Sequence, residues 1–110
     1  METLDVLKGA RNLLAKGYLK YRRNDGRGNF CALGAIHAVT GGRWGVADRS
    51  PAVAELEALL GTDSEAFVGY NVLFPGGRLA NYNNNTDQAR TVALFDRAIA
   101  KLEAEMLTIP

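Results

Sequence analysis

The sequence predicts an all-α fold: one compact domain, residues 1–110, of four main helices, with a buried central helix at about 30–40 and a long C-terminal helix at about 87–106. Three observations carry this. From Phe30 to Val39 every residue but His37 is apolar or small, and Gly41-Gly42 closes the run; a helix without a polar face belongs in the interior. Val92, Phe95, Ile99, Leu102 and Met106 recur at spacings of three and four, the mark of one helical face. Leu4, Leu7, Ala10, Leu13 and Leu14 do the same near the start.

In chain order, Thr3 is a fair N-cap and Lys16-Gly17 a good stop, a cation in the last turn before a glycine able to turn left-handed. This gives a first helix at about 4–16. Tyr18 to Arg23 alternates loosely and meets the turn signal Asn24-Asp25-Gly26, so 18–29 reads as an irregular connection with a short extended piece. In the central helix, Gly34 costs roughly 1 kcal/mol against alanine. With Ala32, Ala35 and Ala38 it offers a thin surface for close approach of another helix. Residues 42–49 read as a loop anchored by Trp44. Ser50-Pro51 opens the third helix, serine capping and proline at the first position. Val53, Leu56, Leu59 and Leu60 are its buried stripe, and Gly61 ends it. Thr62 with Glu65 reads as a capping box for a short helix to about 68. Gly69 to Asn85 is irregular, with Val72-Leu73-Phe74 as an apolar plug before Pro75-Gly76-Gly77 and a turn-prone Asn81-Tyr82-Asn83-Asn84-Asn85. Asn85 and Gln88 offer a second capping box for the last helix. Leu94, Ala98 and Ala89 widen its seam, and Arg90, Arg97, Lys101, Glu103 and Glu105 form most of its wet face.

The length allows one domain with a core of its own. Hydrophobic residues make up 47% and charged residues 23% of the chain, ordinary globular values. One cysteine and one histidine leave neither an internal disulfide nor a C-x-x-C zinc pair. No metal site and no cofactor is expected. No segment approaches the ~20 apolar residues of a membrane span, and the start carries two acids before its first lysine, unlike a signal peptide. A membrane partner is not expected, and the cysteine usage fits a reducing, cytoplasmic setting. The net charge of +1 divides unevenly: residues 1–30 hold seven Lys/Arg against three acids, and 31–110 hold six against nine.

Leu13-Leu14-Ala15-Lys16-Gly17, Cys31-Ala32-Leu33-Gly34-Ala35-Ile36, Tyr82-Asn83-Asn84 and Thr91-Val92-Ala93-Leu94-Phe95-Asp96-Arg97-Ala98-Ile99 follow one another in an order that spans nearly the whole chain. In this the chain resembles a family of small uncharacterised proteins of actinobacterial and other bacterial genomes and their phages, classed as a domain of unknown function. Its members carry a Cys-x-x-Gly-Ala-Ile/Leu helix and an aromatic-Asn-Asp/Asn element. The resemblance implies an architecture and a bacterial or phage setting, not a chemistry. Asn84 stands where Asp is common, which argues against acid/base work at that position.

Cys31 sits near a helix N-terminus, where a thiol pKa is lowered. A nucleophile also needs a base within reach. His37 is six residues on, about 240° around and ~9 Å along the same helix, too far to serve. No catalytic residue is assigned, Cys31 is read as a buried hydrophobe, and the protein is expected not to be an enzyme. The function expected is non-catalytic binding by a phage- or prophage-type accessory factor, of a host protein or a small polar ligand. Tyr82, Asn83, Asn84 and Arg78, ahead of the last helix, are the candidate contacts. Two alternatives stand beside it. One is nucleic-acid binding through the basic 18–27 segment, with Tyr21, Arg22, Arg23 and Arg27 stacking on bases and neutralising phosphate; this is not favoured. The other is a Cys31 thiol enzyme.

Overall fold

The computed structural model describes residues 2–107, apart from the side chain of Trp44. All regular structure among them is helical: α1 (Thr3–Lys16), α2 (Ala32–Thr40), α3 (Trp44–Asp48), α4 (Pro51–Leu60), a 3-10 turn (Ser64–Ala66), α5 (Gly77–Asn85) and α6 (Gln88–Leu107). The all-α single domain expected is therefore the one found. It holds two helices, α3 and α5, in stretches where the sequence predicts loop.

Helix α1 packs against α6 on one side and α2 on the other. It buries Val6, Leu7, Ala10 and Leu14. Gly9 lets α2 come close, since a Cβ there would lie 3.1 Å from Val39. Gly17 ends α1 in extended backbone, φ −164°, not in the left-handed turn expected. It is small because a Cβ would stand 2.3 Å from Asn29 Oδ1 and 2.6 Å from the Gly28 carbonyl. Gln88 of α6 donates to the carbonyl of Leu14 at 2.8 Å, satisfying an orphan acceptor of the last turn.

Helix α2 is interior over its first half, where residues 32–36 are buried, and open at Ala38. The expectation of a helix without any wet face holds only for that first half. Gly34 is indeed a contact glycine, but its partner is not a helix. The segment 18–30 folds back over α2, and a Gly34 Cβ would stand 1.8 Å from the Arg23 carbonyl oxygen. The ends of that segment are tied by Leu19 N–H to the Phe30 carbonyl at 3.0 Å and Phe30 N–H to the Gly17 carbonyl at 3.1 Å. Two isolated bridges, Tyr18 with Phe30 and Asn24 with Phe30, are the extended piece expected.

Ser50 caps α4 through Val53 N–H, with Pro51 at the first position, as predicted. The 3-10 turn is capped by Asp63, accepting from Glu65 N–H at 3.0 Å, in place of the Thr62 box. Helix α6 is capped by Asp87, which accepts from Arg90 N–H at 2.8 Å, since Asn85 still belongs to α5. Its seam buries Leu94, Phe95 and Ala98. Met106, placed on that seam by spacing, is exposed because α6 outruns its neighbours at the C-terminal end; Ala89, also placed there, is exposed in the first turn of α6. The anchoring role read for Trp44 concerns a side chain outside the described residues.

Candidate functional site

Helix α5 is the element that builds the site. Gly76 enters it with φ +84°, and Gly77 must be glycine because a Cβ would stand 2.1 Å from the Asn71 carbonyl. Leu79 N–H, in the first turn, donates at 2.9 Å to Oε2 of Glu57, a buried carboxylate on α4. An anion at a helix N-terminus is favoured by the free N–H groups and the dipole.

The asparagines that follow are bound to loops. Asn81 donates to the carbonyls of Ala66 and Tyr70 and accepts from Tyr70 N–H at 2.6 Å. Asn83, fully buried, donates to the Leu19 carbonyl and accepts from Ala32 N–H at 2.9 Å. It thus caps α2 across 51 residues of sequence. The Tyr18 hydroxyl donates to its carbonyl. Asn84 accepts from Tyr21 N–H at 2.8 Å. Asn85 donates to the carbonyls of Glu65 and Val68. One helix therefore holds the 18–30 segment through Asn83 and Asn84 and the 65–70 segment through Asn81 and Asn85.

Between these segments lies a groove of about 400 Å³. Tyr21, Arg22 and Arg23 supply one side, and residues 70–77 the other, with Tyr70 and Phe74 prominent. Cys31, Leu33, Ala80 and Asn84 also line it. A second cavity of about 370 Å³ shares Tyr21, Tyr70 and Asn84 with the first. The rim is aromatic and open: Tyr21 is 70%, Tyr70 56% and Phe74 67% exposed. Tyr21 has φ +65°, a left-handed conformation that costs on the order of 1–3 kcal/mol for a residue with a large side chain. The Asn84 contact to its N–H holds it there. Arg23 is committed to Asp48 in a two-pronged ion pair, 2.8 and 2.7 Å, so α3 braces this side of the groove.

A family model described as a family of unknown function (DUF6197) matches residues 1–101. The chain belongs to DUF6197. No curated protein and no solved structure matches it.

The residues that sequence reasoning proposed for this DUF6197 chain fall in different places. Tyr82, Asn83 and Asn84 do lie ahead of α6, but inside helix α5 and not in a turn, and all three are buried. Asn83 has each side-chain amide atom engaged with backbone. Tyr82 faces away from the groove, with the Arg90 guanidinium 5.6 Å from its ring centre. Arg78 is half-buried in the first turn of α5 and does not line the groove. Of these four only Asn84 lines it. Of the alternative set, Tyr21, Arg22 and Arg23 line the groove, whereas Arg27 is exposed outside it.

Cys31 is the N-cap of α2, its Sγ accepting from Gly34 N–H at 3.4 Å. Burial pushes its thiol pKa up, against the lowering expected from the helix terminus. His37 Nε2 is bonded to the Gly42 carbonyl at 2.8 Å. Among the described residues no cluster of three or more His, Cys, Asp or Glu could hold a metal ion. No helix among them is long and apolar enough to cross a membrane.

Tyr70, Asn71 and Phe74 were missed. Val72-Leu73-Phe74 was expected to plug the core, yet Leu73 is 86% exposed and Phe74 stands on the rim. The signal was present in the sequence. An apolar stretch between Gly69 and Pro75-Gly76-Gly77 has no helical or strand period with which to bury itself.

Proposed function

We propose that this DUF6197 protein is a non-catalytic binding protein whose site is the groove between residues 21–23 and 70–77. The observation that carries this reading is the rim. Large aromatic side chains stand in solvent around a concave, partly polar surface, and one of them is held in a strained backbone conformation. Exposed apolar patches mark interaction sites, and a concave lining with a few fixed polar groups is how small ligands are held. The size of the groove favours a small polar ligand over a folded host protein. The burial of Cys31, which pushes its thiol pKa up, supports the non-catalytic reading. A phage or prophage setting and a cytoplasmic location belong to the same proposal, supported by the motif resemblance and the cysteine usage.

Filling the groove tests it. Ala80 lines the cavity and is half-buried, so Ala80→Trp should occupy the space without entering the core. In a fragment screen followed by amide chemical shifts, ligands of the wild-type protein should perturb Tyr21, Tyr70 and Asn84 and lose binding to Ala80→Trp. Ligands that perturb other amides and bind the folded variant unchanged would place the site elsewhere.

A second reading is single-strand binding through the 18–27 segment. Tyr21 and the exposed Arg22 and Arg27 favour it. Affinity falling steeply with salt and with Arg27→Ala would support it.

A further inference from the structure

We propose that the groove takes a nucleotide, its ring against Tyr21, Tyr70 and Phe74 and its phosphate on Arg22. This rests on the groove-binding reading above and names its ligand class. The first observation is Asn84, which is only 9% exposed. Its Oδ1 receives Tyr21 N–H at 2.8 Å and Asn83 Nδ2 at 3.4 Å, and two donors on one oxygen fix the amide's orientation. Its Nδ2 has no acceptor among the described residues. Because no fully buried polar side-chain atom among the described residues lacks a partner, this Nδ2 keeps some exposure, and Asn84 lines both the groove and the second cavity. A ligand acceptor would complete it.

The second observation is charge. Arg23 is neutralised by Asp48. Arg22 is exposed at the groove and has no carboxylate partner among the described residues. One uncompensated guanidinium suits one phosphate, which it can grip with two parallel hydrogen bonds. It does not make the basic track that a strand requires. The third observation is the rim itself: aromatic rings are stacking platforms for any base, since every base has a π-face. A cavity of about 400 Å³ lies near the lower end of small-ligand sites, the size of a single nucleotide.

The test titrates the full chain with AMP, GMP, CMP and UMP at low salt, beside ribose 5-phosphate and adenosine, reading amide shifts at Tyr21, Tyr70 and Asn84. AMP is expected to bind at least about tenfold more tightly than either ribose 5-phosphate or adenosine, because each control lacks one of two independent contacts. Arg22→Gln should remove most of the advantage of AMP over adenosine and leave adenosine binding unchanged. Asn84→Asp keeps the oxygen that holds Tyr21 N–H, removes the Nδ2 donors and adds a negative charge. It should weaken AMP at least about tenfold while the Tyr21 amide keeps its exchange protection, a combination that a purely structural role would not give. Ribose 5-phosphate binding as well as AMP would overturn the proposal. So would a short oligonucleotide binding at least about tenfold more tightly than the monophosphates, with a steep salt dependence. If no nucleotide binds but other fragments perturb the same amides, the nucleotide proposal falls and the groove reading stands. If no ligand of any kind perturbs them, both fall.

Discussion

Gly34 shows how a single residue can be read correctly in kind and wrongly in partner. Its position in an apolar helix marks a close approach, and the approach is there. The neighbour is the carbonyl of Arg23, because segment 18–30 lies directly on α2. A carbonyl on a tied loop cannot slide aside as a side chain can. Gly34→Ala is therefore expected to cost about 1–3 kcal/mol of stability by urea denaturation. A change within ~0.5 kcal/mol, the range of ordinary surface substitutions, would show that the loop does not rest on α2. Cys31 makes a second residue-level case. Burial raises its pKa, and burial also raises that of Tyr18. A raised folded-state pKa stabilises the protein below the unfolded-state pKa, and the stabilisation is lost as pH climbs through the folded value. Stability should thus fall above the ordinary thiol range, pH ~8.5 and beyond. Cys31→Ala should flatten the earlier part of that fall in a series of urea midpoints against pH. A thiol reagent should label the native protein slowly and the denatured protein fast; rapid native labelling at neutral pH would contradict the buried placement.

Among the elements, α1, α4 and α6 were legible because each carries a helical period. Lys16-Gly17 also marks the end of α1 and Ser50-Pro51 the start of α4, whereas the box expected for α6 is not its cap. Helix α5 was not, and the reason is physical. Asparagine prefers caps and turns because its side chain competes for backbone groups. Four asparagines within five residues therefore read as turn. In the structure those side chains do bond to backbone, but to the backbone of other segments, which leaves α5 free to remain helical. No local pattern reports where a distant loop will lie. Asn83→Ala is accordingly expected to act on stability. It leaves the Ala32 N–H and the Leu19 carbonyl without their partner, each worth on the order of 1–3 kcal/mol when buried and unsatisfied. Thermal denaturation of the variant would read this, and an unchanged transition would show that the asparagine is replaceable by water. Glu57 gives a parallel test between α4 and α5. Glu57→Gln retains an acceptor for Leu79 N–H and should be milder than Glu57→Ala, whose loss is also about 1–3 kcal/mol; equal losses would mean that the charge, not the hydrogen bond, holds α5.

For the molecule as a whole, the all-α class and the central position of α2 were visible in the sequence, because burial of apolar faces decides them. The groove was visible only in pieces: Tyr21, Arg22 and Arg23 on a basic segment, Asn84 in a polar tract, and Phe74 in an apolar stretch that reads as a plug, with no signal at Tyr70. These pieces meet because α5 grips Tyr21 and Tyr70, which lie 49 residues apart in the chain. That grip has a consequence for how the protein opens. The amides of Tyr21, Ala32 and Tyr70 are each held by an α5 asparagine rather than by their neighbours in sequence. None can be released by fraying of its own segment alone without breaking a contact to the same short helix. In native-state hydrogen exchange the three should behave as one cooperative unit, with similar opening free energies and a common response to denaturant. Their shared rate would measure how often α5 lets go.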